Sequence, residues 1–259
     1  MTSSPKAGYI PMSVARRLVT DYMWAASGIA RVDVTRSVSF HDLIIVRSQL
    51  REPPSWTAMF VKAFAIVAAE IPELRRVYMK FPWPHLYEYS GSTASVLHEC
   101  IIMGDIGVLP LRFHNPDTVP LRHLSQMIRG AADASTKRSS LQRKLIAIAR
   151  LPLLIRRLIW GLCLNIPRLR KEIGTYGVSS VARWQTELGT TRSPLPCLLS
   201  YGPINSHDNI TVRLNFDHRI FDGALAARAL TRLDEVLNSS ILQEMRELAD
   251  SDTCARRAP

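Results

Sequence analysis

The chain has 259 residues, with 33 Lys and Arg against 22 Asp and Glu and a formal charge of +11 with histidine neutral. Apolar residues make up 47% and charged residues 21%, a globular balance that excludes a disordered chain, and 12 Gly with 16 Pro exclude collagen-like or low-complexity material. The length allows one large domain or two small ones around a sizeable core, and the positive excess raises nucleic acid, an acidic membrane surface or a phosphorylated ligand as partners.

Residues 13–26 read as a helix, with Leu18, Tyr22 and Met23 on one face and Arg16 and Arg17 off it. Residues 31–40 alternate and read as extended, and 42–50 read as a short helix broken by Glu52-Pro53-Pro54. Ser55 is placed to cap a helix over 56–70 that is apolar on nearly every side, the mark of a helix central to a core. After a Phe81-Pro82-Trp83-Pro84 connector, extended runs are expected at 85–89, 94–103 and 107–113, then an amphipathic helix at 119–132. Extended segments follow at 178–181 and 198–204.

The stretch 137–171 holds ten Lys or Arg and no Asp or Glu, which leaves 23 basic against 22 acidic residues elsewhere. The excess charge is therefore one local segment. Its Leu151, Leu154, Ile155, Leu158, Ile159 and Leu162 are expected to form a buried stripe, which a trimer interface could cover, beneath a solvated basic face. No aromatic-basic platform or nucleic-acid motif accompanies it, so nucleic acid is not expected as a partner, and neither is a membrane surface. The apolar region 145–166 is broken by Arg150, Pro152, Arg156, Arg157 and Asn165, short of the roughly 20 uninterrupted residues that span a bilayer. The N-terminus lacks an apolar leader core, and Cys100, Cys163, Cys197 and Cys254 are too far apart for a zinc or redox pair. A soluble cytoplasmic protein with reduced thiols is expected.

Residues 209–217 form the cleanest strand, with Ile210, Val212, Leu214 and Phe216 on one face and Thr211, Arg213, Asn215 and Asp217 on the other. Residues 221–237 form the cleanest helix, with Ala226, Leu230, Leu233 and Leu237 on one side. Between them stands His218-Arg219-Ile220-Phe221-Asp222-Gly223. A strand end fixes the backbone, and the turn presents side chains to a cleft. Histidine suits general-base work because its ordinary pKa lies nearest physiological pH. Asp222 is placed to orient the imidazole, to order the turn, or simply to cap the helix, and Gly223 permits a tight turn or a close approach. Composition alone gives about 0.015 chance copies of His-x-x-x-Asp-Gly.

The run Asn215 to Ala224 resembles the DHRxxDGA signature of the dihydrolipoyl acyltransferase catalytic domains of 2-oxoacid dehydrogenase complexes, whose fold is shared with chloramphenicol acetyltransferase. Asp217 ahead of the histidine favours the dehydrogenase-complex branch over chloramphenicol acetyltransferase and condensation domains. Gly174-Thr175-Tyr176-Gly177-Val178-Ser179-Ser180-Val181 resembles that family's GTFTISNLG-type strand, and Phe60-Val61-Lys62-Ala63 with Ile71-Pro72-Glu73-Leu74 a weaker helix-and-turn element. Two positions depart from the pattern: Asn215 replaces a Ser or Thr, and Gly177 replaces a Thr.

The resemblance implies an α/β (α+β) fold of the chloramphenicol acetyltransferase-like sandwich type, a mixed sheet flanked by helices. It divides the chain into an extension (1–12), a catalytic domain (13–250) and a flexible tail (251–259). It further implies acyl transfer, expected here to run from acyl-coenzyme A to a hydroxyl or thiol of a small-molecule acceptor, without a metal. His218 would be the base, Ser179 the oxyanion donor, Asp222 the support of the turn, and Asp217, Arg219 and Gly223 its frame. Ser180 is the fallback for Ser179 should the register slip by one, and either hydroxyl could instead bond nearby backbone. Homotrimers are implied, with His218 of one chain facing Ser179 of its neighbour. No lipoyl attachment segment is present in the sequence, so a lipoyl donor would come from another chain; a non-catalytic trimeric assembly protein is the remaining alternative.

Overall fold

The computed structural model describes residues 8–136 and 140–257, so Lys137 and Arg138 of the basic stretch lie outside the described residues. In chain order the elements are α1 (Val14–Ala26), β1 (Arg31–Ser39), α2 (His41–Gln49), α3 (Trp56–Glu70), β2 (Arg76–Met79), β3 (His85–Glu88), β4 (Thr93–Ile102), β5 (Asp105–His114), α4 (Leu121–Thr136), α5 (Ser140–Ala149), α6 (Leu153–Asn165), α7 (Pro167–Lys171), β6 (Tyr176–Ser179), β7 (Cys197–Ile204), β8 (Asn209–Asp217), α8 (Gly223–Val236) and α9 (Leu242–Arg257), with a π-helical turn (Leu237–Ile241) joining the last two.

Six strands form one mixed sheet in the order β1-β8-β7-β6-β4-β5, and β2 and β3 pair separately. β6 runs parallel to both of its neighbours, β4 and β7, while the other neighbours pair antiparallel. This is the expected mixed sheet flanked by helices. Alternation decides which side is covered. Tyr176, Val178, Leu199, Val212, Leu214 and Phe216 are buried in the main core with α3 and α8.

α3 is the central helix. Ser55 caps it, its hydroxyl accepting from Ala58 N at 3.2 Å. Ten of its residues are buried, as an all-round apolar helix requires. Phe60 stacks on Tyr201 with centroids 4.3 Å apart, and Tyr176 donates its hydroxyl to Val61 O at 2.7 Å. Its one buried cation, Lys62, is neutralised by Glu244 of α9 at 2.6 Å, whose other oxygen accepts from Leu121 N at the start of α4. That one carboxylate ties three helices.

Three expectations need correction. In α1 the buried side carries Ala15, Asp21, Ala25 and Ala26, while Met23 is exposed, because the helix packs on the outer end of the β4–β5 hairpin through Ala15, Val14 and Leu18. The segment expected as a flexible tail from residue 251 begins inside α9, where Asp252 accepts from Arg122 at 2.6 Å and from Arg51 N at 3.2 Å. The stripe of the basic stretch is not buried: α6 contributes no buried residue. Among the described residues no helix is long and apolar enough to cross a membrane.

Candidate active site

β8 ends at Asp217, and the next three residues turn out of the sheet before α8 begins. Backbone bonds pin this turn: Asp217 N donates to Pro196 O, His218 N to Ala30 O and Ile220 N to Asp217 O, each at 2.9 Å. Asp217 is buried and receives a fork from Arg219, Nε to Oδ1 at 2.9 Å and Nη2 to Oδ2 at 2.8 Å, with Arg219 N adding a third bond at 3.1 Å. The Arg219 guanidinium also lies 4.2 Å from the centre of the Tyr78 ring, and the Asp217 bond holds its pKa above the ordinary value. Charge-assisted forks fix geometry firmly. Asp217 and Arg219 therefore shape the turn.

His218 is exposed at the turn, its ring tilted against Phe216 with centroids 5.8 Å apart. Its ring has no hydrogen-bond partner among the described residues. Asp222 does not orient it: the carboxylate accepts from Leu225 N at 2.8 Å and caps α8. Gly223 has open space around it, with no atom within 4 Å of a Cβ built there and no positive φ, so neither a tight turn nor a close approach within this chain accounts for it.

Ser179 closes β6 and is half-buried. Its hydroxyl is free of hydrogen bonds among the described residues. Ser180 differs: its hydroxyl donates to Tyr201 O at 2.8 Å and accepts from Ala182 N at 3.1 Å. The two glycines before Ser179 have packing reasons. Gly174 has φ +120°, and a Cβ there would meet Ser95 Oγ at 2.7 Å. At Gly177 a Cβ would meet Leu198 Cδ1 at 2.5 Å and Leu195 Cδ1 at 2.6 Å, so these leucines fill the space that a threonine would need.

Sheet register fixes how far apart His218 and Ser179 stand. Ser179 is opposite Ser200, and Ser200 is opposite Arg213, five residues before His218. Two strand spacings and that rise separate the pair by about 20 Å within one chain. One chain does not bring them together.

Arg31 and Asp33 support the site without having been singled out in the sequence, and Asn215, noted there only as a departure from the family pattern, joins them. Arg31 stands opposite Asp217, and its buried guanidinium donates to the carbonyls of Ser193, Leu195 and Pro196. Burial pushes its pKa down, and Asp217 opposes that shift. It thereby holds the loop on which Asp217 N rests. Asn215 Nδ2 donates to Asp33 Oδ1 at 2.6 Å, while its buried Oδ1 has no donor among the described residues. The signal for all three is the β1–β8 register, which residue spacing does not reveal. Burial raises the pKa of Cys100, Cys163 and Cys197, the last to about 12, so none is an activated nucleophile. Among the described residues no three His, Cys, Asp or Glu side chains are grouped to hold a metal ion.

No protein-family model and no curated protein matches the sequence. Solved structures do. The probable dihydrolipoamide acetyltransferase of Listeria monocytogenes superposes with a TM-score of 0.65 at 18% identity, over 90% of this chain and 94% of that one. The Azotobacter vinelandii dihydrolipoamide acetyltransferase gives 0.66 at 16%, over 92% and 94%. The truncated catalytic core of the 2-oxoacid dehydrogenase multienzyme complex from Thermoplasma acidophilum gives 0.67 at 16%, over 90% and 99%. The chain thus has the fold of the dihydrolipoamide acetyltransferase catalytic domain.

Proposed function

We propose that the protein is an acyltransferase that moves an acyl group, acetyl in the simplest case, from coenzyme A to a hydroxyl or thiol of a small molecule. The observation that carries this reading is the pair of unpartnered groups: an exposed imidazole on a rigid turn and a free serine hydroxyl at a strand end. The fold supports it as well. In the Azotobacter enzyme, the residues whose catalytic role was investigated are a serine, a histidine and an asparagine four positions beyond that histidine, the spacing of His218 and Asp222 here.

In this reading His218 takes the proton from the acceptor as its oxygen or sulfur attacks the thioester carbonyl. The new bond leaves a tetrahedral oxyanion, to which the Ser179 hydroxyl donates. Collapse breaks the carbon–sulfur bond, and the imidazolium returns its proton to the departing thiolate of coenzyme A. The separation of about 20 Å within one chain favours a homotrimer with His218 of one subunit facing Ser179 of the next. The sheet face that bears Ser179 also carries exposed Ile101, Ile106 and Val108, apolar groups that such an interface would cover. Open space beside Gly223 fits the approach of a neighbour or a substrate.

The test is thiol release from a panel of acyl-coenzyme A donors with candidate hydroxyl and thiol acceptors. Wild type is expected to release thiol and His218→Ala to fall to background with an unchanged circular dichroism spectrum. Equal rates for the two proteins would overturn the assignment of the base.

A further inference from the structure

α6 is built inside out. Its cations turn inward: Arg156 Nη1 meets Asp21 Oδ2 at 2.8 Å, and Arg157 Nη1 meets Asp21 Oδ1 at 3.3 Å, on a carboxylate that is 1% exposed. Arg157 also lies 4.3 Å from the centre of the Trp24 ring, and Trp160 packs edge-on against Tyr22. These contacts fasten residues 156, 157 and 160 to α1. At 100° per residue, Leu154, Ile155, Leu158 and Leu162 then fall within about 100° of arc on the opposite, outward side, and Leu151 just ahead of the helix is exposed as well. In that order the five are 82, 44, 63, 45 and 38% exposed. An ordinary surface helix has its charges where these leucines are.

Two neighbouring features define what would cover this stripe. Asn165 Oδ1 accepts from Lys80 N at 3.1 Å and Phe81 N at 3.0 Å, which sets exposed Phe81 and Trp83 beside the C-terminal end of α6. On the segments that flank α6 in the chain, Arg143, Lys144, Arg150, Arg168 and Lys171 form no ion pair among the described residues. Arg143 and Arg150 line one shallow depression of about 230 Å³ with Met103 of the β4–β5 hairpin. Outward leucines, aromatic rings at one end and unneutralised cations suit a surface that is apolar within and anionic at its face. A second copy of the segment would set these cations against one another.

We propose that α6, together with Phe81 and Trp83, lies in the interface of an anionic phospholipid bilayer. The short α6 binds along the surface without crossing it, and the cations of α5 and α7 meet lipid phosphates. The proposal departs from the sequence-based expectation of a buried stripe and no membrane contact.

The test uses the full chain and sedimentation with phosphatidylcholine vesicles, with and without about 30 mol % phosphatidylglycerol, in low and high salt. Binding is expected to the anionic vesicles, to weaken with salt, and to be lost with phosphatidylcholine alone. Leu154→Glu with Leu158→Glu is expected to weaken it on the order of 100-fold while leaving the oligomer on light scattering and acyl-transfer activity unchanged. For the wild type, hydrogen exchange over 151–166 is expected to slow when anionic vesicles are added. No binding to anionic vesicles, binding indifferent to the double substitution, or dissociation of the oligomer by it would overturn the proposal; the last would make the stripe a subunit interface.

Discussion

Ser179 and Ser180 are adjacent and chemically identical, yet only Ser180 has its hydroxyl committed, to Tyr201 O and Ala182 N. Ser179→Ala is expected to lower kcat by about 10²–10³-fold with little change in Tm. Ser180→Ala is expected to cost about 1 kcal/mol of stability and leave kcat near wild type. Steady-state kinetics and thermal melts of both variants check this, and the opposite pattern would exchange their roles. Asp222 acts on the helix it caps, so Asp222→Asn, an equally good cap, is expected to retain activity, whereas Asp222→Ala is expected to lose about 1 kcal/mol and to loosen the turn that carries His218. The rigid member is Asp217, buried beneath the Arg219 fork, and the exposed imidazole one residue later leans on Phe216 with no hydrogen bond of its own among the described residues. Reading along the chain finds His218 and Ser179 because their types and flanks are local. It does not find Arg31 or Asp33, nor the bond that gives Asn215 its role, because these come from pairing two strands nearly two hundred residues apart in sequence.

At the scale of elements, α3 and β8 were legible because one is apolar all round and the other alternates without fault, and both have the expected bounds. β2 was not legible, since four residues paired only with β3 carry too little periodicity. Nor was α9, whose polar sequence is held partly by ion pairs of Glu244 and Asp252 with distant residues. The inversion of α6 was hidden for a related reason: a stripe of leucines looks the same whichever way it faces, and Asp21, the residue that turns it, lies on α1. Removing that carboxylate leaves two arginines with little access to water, so Asp21→Ala is expected to cost about 3–5 kcal/mol. Denaturant unfolding would show this, and a loss under about 1 kcal/mol would mean that apolar contacts alone seat α6. On β4, burial holds the pKa of His98 below the ordinary histidine value. The folded state therefore favours the neutral ring, and its contribution is present above about pH 6.5 and lost as pH falls through the depressed value. Melts of His98→Gln between pH 7 and 5 are expected to fall less steeply than those of wild type; parallel curves would contradict that sign.

For the whole molecule, the net charge of +11 has a local origin in residues 137–171. Arg156, Arg157 and Arg170 are consumed inside the protein, the last donating to Pro194 O with its pKa pushed down to about 10 by burial. Arg143, Lys144, Arg150, Arg168 and Lys171 lie on the segments that flank α6 in the chain. In the proposed homotrimer, the open sheet face with Ser179 and the remote turn with His218 would make each chain half of two sites. Co-expression of His218→Ala with Ser179→Ala, followed by an acyl-transfer assay of the mixed oligomers, tests that claim most directly. Each variant alone is expected to be nearly inactive. Random mixing pairs an intact His218 with a neighbour's intact Ser179 at about one site in four, so about a quarter of wild-type activity is expected to return. A mixture no more active than the two variants assayed separately would contradict the claim.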